Sequence, residues 1–407
     1  MKTLQVLLIA SFGVLLASTV PLGQHGKRRL IKVSEFEPPK WLNDKEIWGL
    51  LEKDIHFMDI TDIKNFSEKK PEISQNKGIP TELKYEALVS QAFGSINLGR
   101  IETFIQTFSD FHNRYYDAEN GVISQRWLLE QVKSSIRDYA GNVSVIEIEH
   151  DWLQNSIIAR IDGADPTLRS QVVILGAHQD SINTNGITLR APGADDNASG
   201  CITVLETLRA IVQNGIIPNR TVEFHWYAGE ERGLLGSLDI AQRYKEANVQ
   251  VFAMVNLTSW ARKIANGESG TDYLVAFSNV SLIWERSGSK GLSKLVEYYV
   301  DGNDDIAIVT DYVDNELTQF LRVLIDGYLS FGRRERECGY ACSDHAAWTQ
   351  NGFPAARPTQ AVRNGQMHTL NDTIGTVSFI QVREFVKLAT GFLVELADVS
   401  RVVFTSN

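Results

Sequence analysis

The chain has 407 residues, 43% hydrophobic and 22% charged, which is enough apolar content for a large core and unlike a disordered protein. A formal net charge of −10 with pI near 5.4 argues against nucleic acid or an anionic membrane as the main partner, since both attract basic surfaces. Small molecules, peptides and metal ions remain as charge-bearing partners.

Lys2 is followed by an apolar stretch from Leu4 to Ala17 and then by the small and polar Ala17-Ser18-Thr19, the layout of a secretory signal peptide over residues 1–19. The apolar core falls short of the roughly 20 residues that a spanning helix needs, so secretion rather than anchoring is the expectation. Residues 20–84 are polar, contain Gly26-Lys27-Arg28-Arg29 and Lys69-Lys70-Pro71, and show no strand-like run. They read as a pro-segment; the alternative is a decoration of the mature domain, with Trp48 to Ile60 as an amphipathic helix.

Residues 85–407 read as one domain. Helix-like stretches at Ile101 to Arg114 and Ile123 to Tyr139 lead into strand-like runs at Val143 to His150, Ser156 to Ile161 and Gln171 to Ala177. Helices and strands then alternate: Cys201 to Asn214, Thr221 to Ala228, Leu234 to Ala247, Val249 to Leu257. Strands at Tyr273 to Phe277 and Ile306 to Thr310 and helices at Asn315 to Leu324 and Ser378 to Leu396 complete the domain. Runs such as Val172-Val173-Ile174-Leu175 are apolar on both faces, as expected of a mostly parallel sheet covered by helices on both sides. In such sheets ligands gather at the carboxyl ends of the strands, where His178, Glu230 and Asn256 fall.

Several residues at those ends could hold metal. His178 follows an apolar run, and Asp180, two residues on, can fix its second ring nitrogen. Asp195 and Asp196 lie in Gly193-Ala194-Asp195-Asp196-Asn197-Ala198-Ser199-Gly200 just before a helix, where they serve as helix caps or as ligands, one acid able to bind two cations. Glu230 and Glu231 can divide the work of hydrolysis, one on the metal and one moving a proton. His345 adds a late imidazole, and the spread of ligands suggests two adjacent ions, each donor being one that zinc accepts.

Cys338 and Cys342 stand four apart in Cys-Gly-Tyr-Ala-Cys. A short-loop disulfide is the natural pairing in an oxidising compartment; two thiols on one helix face, or half of a metal site, are the alternatives. Cys201 reads as a buried free thiol. Sequons at Asn65, Asn142, Asn219, Asn279 and Asn371 fit a secreted glycoprotein.

The stretches Gly176-Ala177-His178-Gln179-Asp180-Ser181, Gly193 to Gly200, Ala228-Gly229-Glu230-Glu231-Arg232-Gly233 and Cys338-Gly339-Tyr340-Ala341-Cys342-Ser343-Asp344-His345 resemble the secreted leucine aminopeptidases of the M28 zinc metallopeptidase family, fungal ones made with a propeptide in particular. Phe111-His112-Asn113-Arg114-Tyr115-Tyr116 and Met367-His368-Thr369-Leu370-Asn371-Asp372-Thr373 belong to the same match. The resemblance implies a three-layer α/β/α sandwich with a mixed, mostly parallel central sheet, two zinc ions per chain, peptide substrates with a free N-terminus and a monomer. It further implies that Asp196 bridges the ions, that Glu231 and His345 complete one site, and that His178, backed by Asp180, belongs to the other. Glu230 is then the general base, and Tyr340 steadies the oxyanion.

One ligand departs from the family pattern: Met254-Val255-Asn256-Leu257-Thr258 places an amide where the family carries an aspartate. The exchange removes one negative charge and should weaken the second zinc. Two other functions therefore stand beside a zinc aminopeptidase: a catalytically impaired homologue that binds peptides, and a single-zinc enzyme resembling glutaminyl cyclases.

Overall fold

The computed structural model describes residues 28–64, 66, 78–258 and 305–402. Six strands form the central sheet in the order Ala355–Ala356, Gln250–Asn256, Gln171–His178, Thr221–Tyr227, Ser156–Ile161, Val143–Ile148. The first four run parallel, and the last two join antiparallel, so the sheet is mixed. Alternation along Gln171–His178 separates the two faces. Val173, Leu175 and Ala177 enter the larger core with residues of helices Leu98–Asp110, Glu119–Ser135, Gly200–Gln213, Asn315–Tyr328 and Phe379–Ala397. Val172 and Ile174 enter a second core with Ile240, Ala241 and Trp348 from helices Leu235–Glu246 and His345–Gln350. A sheet apolar on both faces and covered by helices on both is the three-layer architecture that the apolar runs predict.

The predicted elements fall within a few residues of their observed bounds through Gly200–Gln213, Thr221–Tyr227, Leu235–Glu246 and Gln250–Asn256. A smaller sheet, Arg333–Arg336, Ile306–Val309, Pro358–Gln360, adjoins the central one through the strand pair 355–360. The strand expected at Tyr273 to Phe277, the signal peptide, and the sequons at Asn65 and Asn279 lie outside the described residues. Of the remaining sequons, Asn142 and Asn371 are exposed, whereas the Asn219 amide is half-buried and donates to Asp398 at 3.4 Å. Cys338 and Cys342 are joined, with Cα atoms 6.2 Å apart, and Cys201 is a buried free thiol whose pKa burial pushes up to about 12.

The expectation that residues 20–84 lack strands is corrected. Arg29–Lys32 pairs antiparallel with both Lys40–Leu42 and Met58–Asp59, and the helix Asp44–Leu51 lies between them in sequence. Asn43 and Glu46 close that helix with a reciprocal capping box. These strands are too short and too charged to show an alternating pattern, but they bury Ile31, Phe57, Met58 and Ile60 against the domain. The Asp59 amide donates to the Gly233 carbonyl at 2.9 Å and the Ala341 amide to the Val33 carbonyl at 2.8 Å. At Gly233, with φ of +113°, an added Cβ would stand 2.8 Å from the Asp59 Cβ, so this close approach requires glycine.

Candidate metal centre

His178 is the last residue of its strand, and the Gly193 to Gly200 loop meets it from the neighbouring helix start. Gly193 sits at φ +53° and leaves no room for a Cβ, which would come within 2.4 Å of the Asp196 carbonyl. The loop turns there and continues through a cis Asp196-Asn197 peptide into helix Gly200–Gln213. Glu230 and Glu231 open a single 3₁₀ turn after strand Thr221–Tyr227. Three groups hold these loops. Buried Arg114 donates to the carbonyls of Gln179, Pro192 and Gly193, tying the His178 and Asp196 loops together. The Asp180 carboxylate accepts the backbone N–H groups of Glu230 and Glu231, both at 3.1 Å. The Asp372 carboxylate accepts those of Asp195 and Asp196, both at 3.0 Å. Each acidic pair is therefore pinned through its backbone; Asp195 turns to accept from the Asn364 amide at 2.9 Å, and Asp196, Glu230 and Glu231 face the cluster.

Those side chains converge on Asp196. Its Oδ1 lies 3.1 Å from His178 Nε2, and its Oδ2 lies 3.0 Å from His368 Nε2, which is also 3.1 Å from Glu231 Oε2. Asp180 Oδ1 stands 3.4 Å from His178 Nδ1, and Glu230 Oε2 lies 4.0 Å from His178 Nε2. His178, Asp196 and Glu231 can point one donor atom each at a common centre. The same is true of His56, Glu230 and Glu231, and of Asp54, His56 and His368.

The residues fit a bound cation. Asp196 Oδ1, Glu230 Oε2, both Glu231 carboxylate oxygens, Asn256 Oδ1 and His368 Nε2 are buried without a well-formed hydrogen bond, although they crowd one another. Buried carboxylates left in this state are costly unless a positive charge joins them. Imidazole nitrogens and carboxylate oxygens are the donors zinc takes in catalytic sites.

The protonation preferences agree. Burial opposes charge on His178 and His368, but Glu230 with Asp180 and Asp196 for the first, and Glu231 with Asp196 for the second, hold both imidazoles well above their ordinary range. Burial also opposes charge on Asp196, which the two imidazoles nonetheless hold well below the carboxylate range. Burial, joined by Asp344, Glu231 and Asp196, pushes Glu230 well above it. Burial likewise lifts Asp344 and Asp372 to about 7. The acid-rich cluster gathers protons where a cation would displace them.

The expected residues His178, Asp180, Asp196, Glu230 and Glu231 thus come together. His345 does not join them. It opens helix His345–Gln350 fully buried, takes part in no metal-capable group among the described residues, and burial with nearby Arg357 holds its pKa well below the imidazole range. The imidazole against Asp196 and Glu231 is His368, from a turn in which it adopts φ +57°. No strand end marks that turn; only its place in the Met367 to Thr373 stretch of the resemblance could have pointed to it. Asn256 ends its strand opposite Gly176 and donates its amide to Ser343 Oγ at 2.7 Å, which leaves Oδ1 as the free atom. The side chains of Asn256 and Asn197 are fully buried, so neither of their sequons is open to a glycan. Tyr340 is half-buried and stacks on the His56 ring with centroids 6.0 Å apart.

Residues 156–392 match the sequence profile of Peptidase family M28. The chain is 34% identical to the probable leucine aminopeptidase 1 of Trichophyton verrucosum over 98% of its own length and 100% of the relative. To leucine aminopeptidase 1 of Emericella nidulans it is 34% identical, covering 91% of this chain and 89% of that one. Among solved structures it resembles LapB from Legionella pneumophila, with a TM-score of 0.71 and 24% identity over 91% of this chain and 100% of LapB, a likeness of fold.

Proposed function

The chain belongs to peptidase family M28, and from that premise we propose that it is a secreted, zinc-dependent aminopeptidase that hydrolyses the first peptide bond of peptides with a free N-terminus, preferring leucine or another apolar first residue. The observation that carries this is the convergence of His178, Asp196, Glu231 and His368, with orphaned donor atoms, at the carboxyl ends of the central strands. Asp196 presents one oxygen to each imidazole and would be the residue shared by two ions. His178 with Asn256 would serve one ion, Glu231 with His368 the other. When bound, zinc supplies Lewis-acid polarisation and lowers the pKa of a water.

The chain's own groups supply the rest. Glu230 is buried, pushed toward the protonated form, and free at Oε2, so it is the group to accept a proton from the attacking water and return it to the leaving amine. Asp180 holds the backbone of both glutamates and stands 3.4 Å from His178 Nδ1, where it would orient the ring once the other nitrogen held a metal. Tyr340, on the disulfide-closed loop, is the hydroxyl assigned to the developing oxyanion. Residues 1–19 are read as a signal peptide and residues 20–84 as a pro-segment removed on activation.

Asn256 favours a second reading, a peptide-binding homologue with impaired catalysis, because it leaves the first ion with one carboxylate fewer. Leu-p-nitroanilide hydrolysis across a zinc titration, on protein activated by limited proteolysis, separates the two. Turnover that rises as bound zinc approaches two per chain supports the aminopeptidase. No turnover at any zinc level, restored in Asn256→Asp, supports the impaired homologue, and pyroglutamate formation from N-terminal glutamine would support a cyclase instead.

A further inference from the structure

Resting on the metal centre proposed above, we infer that the N-terminal segment adds a ligand of its own: His56 binds the zinc held by Glu231 and His368, with Asp54 as the carboxylate behind His368. His56 lies in the turn between helix Asp44–Leu51 and strand Met58–Asp59, and its ring offers a nitrogen to one metal-capable group with Glu230 and Glu231 and to a second with Asp54 and His368. Its ring centroid is 5.3 Å from that of His368, and its opposite neighbour is the Tyr340 ring, inclined by only 12°. The imidazole therefore sits wedged between the ligand cluster and the residue assigned to the oxyanion. It is 7% exposed, so it does not reach solvent for its polar contacts.

Asp54 completes the arrangement. Its Oδ1 stands 3.5 Å from His368 Nδ1, matching the 3.4 Å between Asp180 and His178 Nδ1 on the other side. A carboxylate on the far nitrogen of a metal-bound imidazole fixes its tautomer and raises its basicity. Among the described residues, the carboxylate paired with His368 Nδ1 comes from this segment. Asp54 is itself paired with Arg363 and adopts φ +60°, so the Asp54-Ile55-His56 turn is held from the domain side as well. The Asp59–Gly233 and Val33–Ala341 hydrogen bonds and the burial of Phe57 and Met58 fix the turn from both ends. A third imidazole in this position fills a coordination site that a substrate would need. The uncleaved chain should hold this zinc more tightly than Asp196, Glu231 and His368 could alone, and should be closed to peptides while it does.

The test is zinc affinity of the full chain, by competition with a chromophoric chelator, for wild type, His56→Ala, His56→Gln, Asp54→Asn and Glu231→Gln. Loss of His56 should weaken binding about a hundredfold and loss of the Asp54 charge about tenfold, and Glu231→Gln should remove the site. Equal affinity in wild type and both His56 variants, with binding lost in Glu231→Gln, would overturn the role of His56 and leave the metal centre standing. No zinc binding by wild type would overturn both. A second readout is the proton NMR spectrum of the cobalt(II)-loaded full chain, in which each ligating imidazole shows a shifted, exchangeable N–H. His56→Gln should show one such signal fewer than wild type loaded with the same cobalt, and equal numbers would refute the proposal.

Discussion

His368 and His345 are both buried, both lie late in the chain, and only one of them touches Asp196. A histidine beside a disulfide-closed loop looks well placed to be a ligand, but His345 starts a helix whose next residues, Ala346 to Trp348, are committed to the core. His368 comes from a turn with no periodic pattern, and its left-handed conformation brings Nε2 to 3.0 Å from Asp196. His368→Ala should therefore lose bound zinc and aminopeptidase activity by at least about a hundredfold, whereas His345→Ala should keep its zinc and show its cost mainly as a lower Tm. Metal analysis after gel filtration would check this, and equal zinc loss in the two variants would contradict it. Of the other residues in the cluster, His178, Glu230 and Glu231 were legible because they follow apolar runs, Val172 to Leu175 and Val222 to Ala228, and Asp196 because it lies in an acidic loop just before a helix. Asn256 was legible for the same reason, and its hydrogen bond to Ser343 adds which of its two side-chain atoms is left for a metal.

The long strands and helices of the domain declare themselves by hydrophobic period; most strand bounds lie within a residue or two of expectation, while helices Leu98–Asp110, Glu119–Ser135 and Asn315–Tyr328 differ from it by up to four residues at an end. Elements shorter than five residues mostly do not declare themselves, the apolar Ile306–Val309 being an exception. Arg29–Lys32 and Lys40–Leu42 carry too few apolar residues to alternate, and Arg333–Arg336 is charged throughout, forming a strand only because Ile306–Val309 lies beside it. Even a central strand hides something: Thr221–Tyr227 is buried along its whole length yet contains Glu223 and His225. Glu223 Oε2 accepts from Tyr244 at 2.7 Å and lies 2.9 Å from His225 Nε2, while Oε1 accepts from Arg160 at 2.6 Å. Burial pushes the Glu223 pKa up, but His225, Tyr244 and Arg160 more than offset it and leave it below its ordinary 4.5. A depressed carboxylate stabilises the fold fully above its unfolded value, and that contribution fades as pH falls through about 4.5 and below. Glu223→Gln should accordingly be less stable than wild type at pH 7, by about 1–3 kcal/mol, and the difference should shrink in urea unfolding at pH 4 and lower. Parallel stability curves across that range would contradict the pairing.

At the scale of the whole molecule, two bodies of sequence meet over one cluster. The domain contributes strand-end and loop residues held by Arg114, Asp180 and Asp372, and the segment 28–64 contributes a small sheet that lays Asp54 and His56 against them. The polar composition of the segment pointed to something separable, and its lack of periodicity concealed how fully it docks. Docking depends on surfaces the domain supplies, Gly233, Leu234, Leu238 and Ala341 among them, and so could not be seen in the segment's own residues. Among the described residues no helix is long and apolar enough to cross a membrane.

The central claim is that a cation binds at Asp196 between His178 and the Glu231–His368 pair. Anomalous diffraction at the zinc edge, from crystals of the full chain grown with zinc, tests it most directly. The account predicts a peak bonded to an Asp196 oxygen and to a His178 or His368 nitrogen at about 2.0–2.1 Å. A map with no peak at Asp196, or with its zinc on His345, would contradict it.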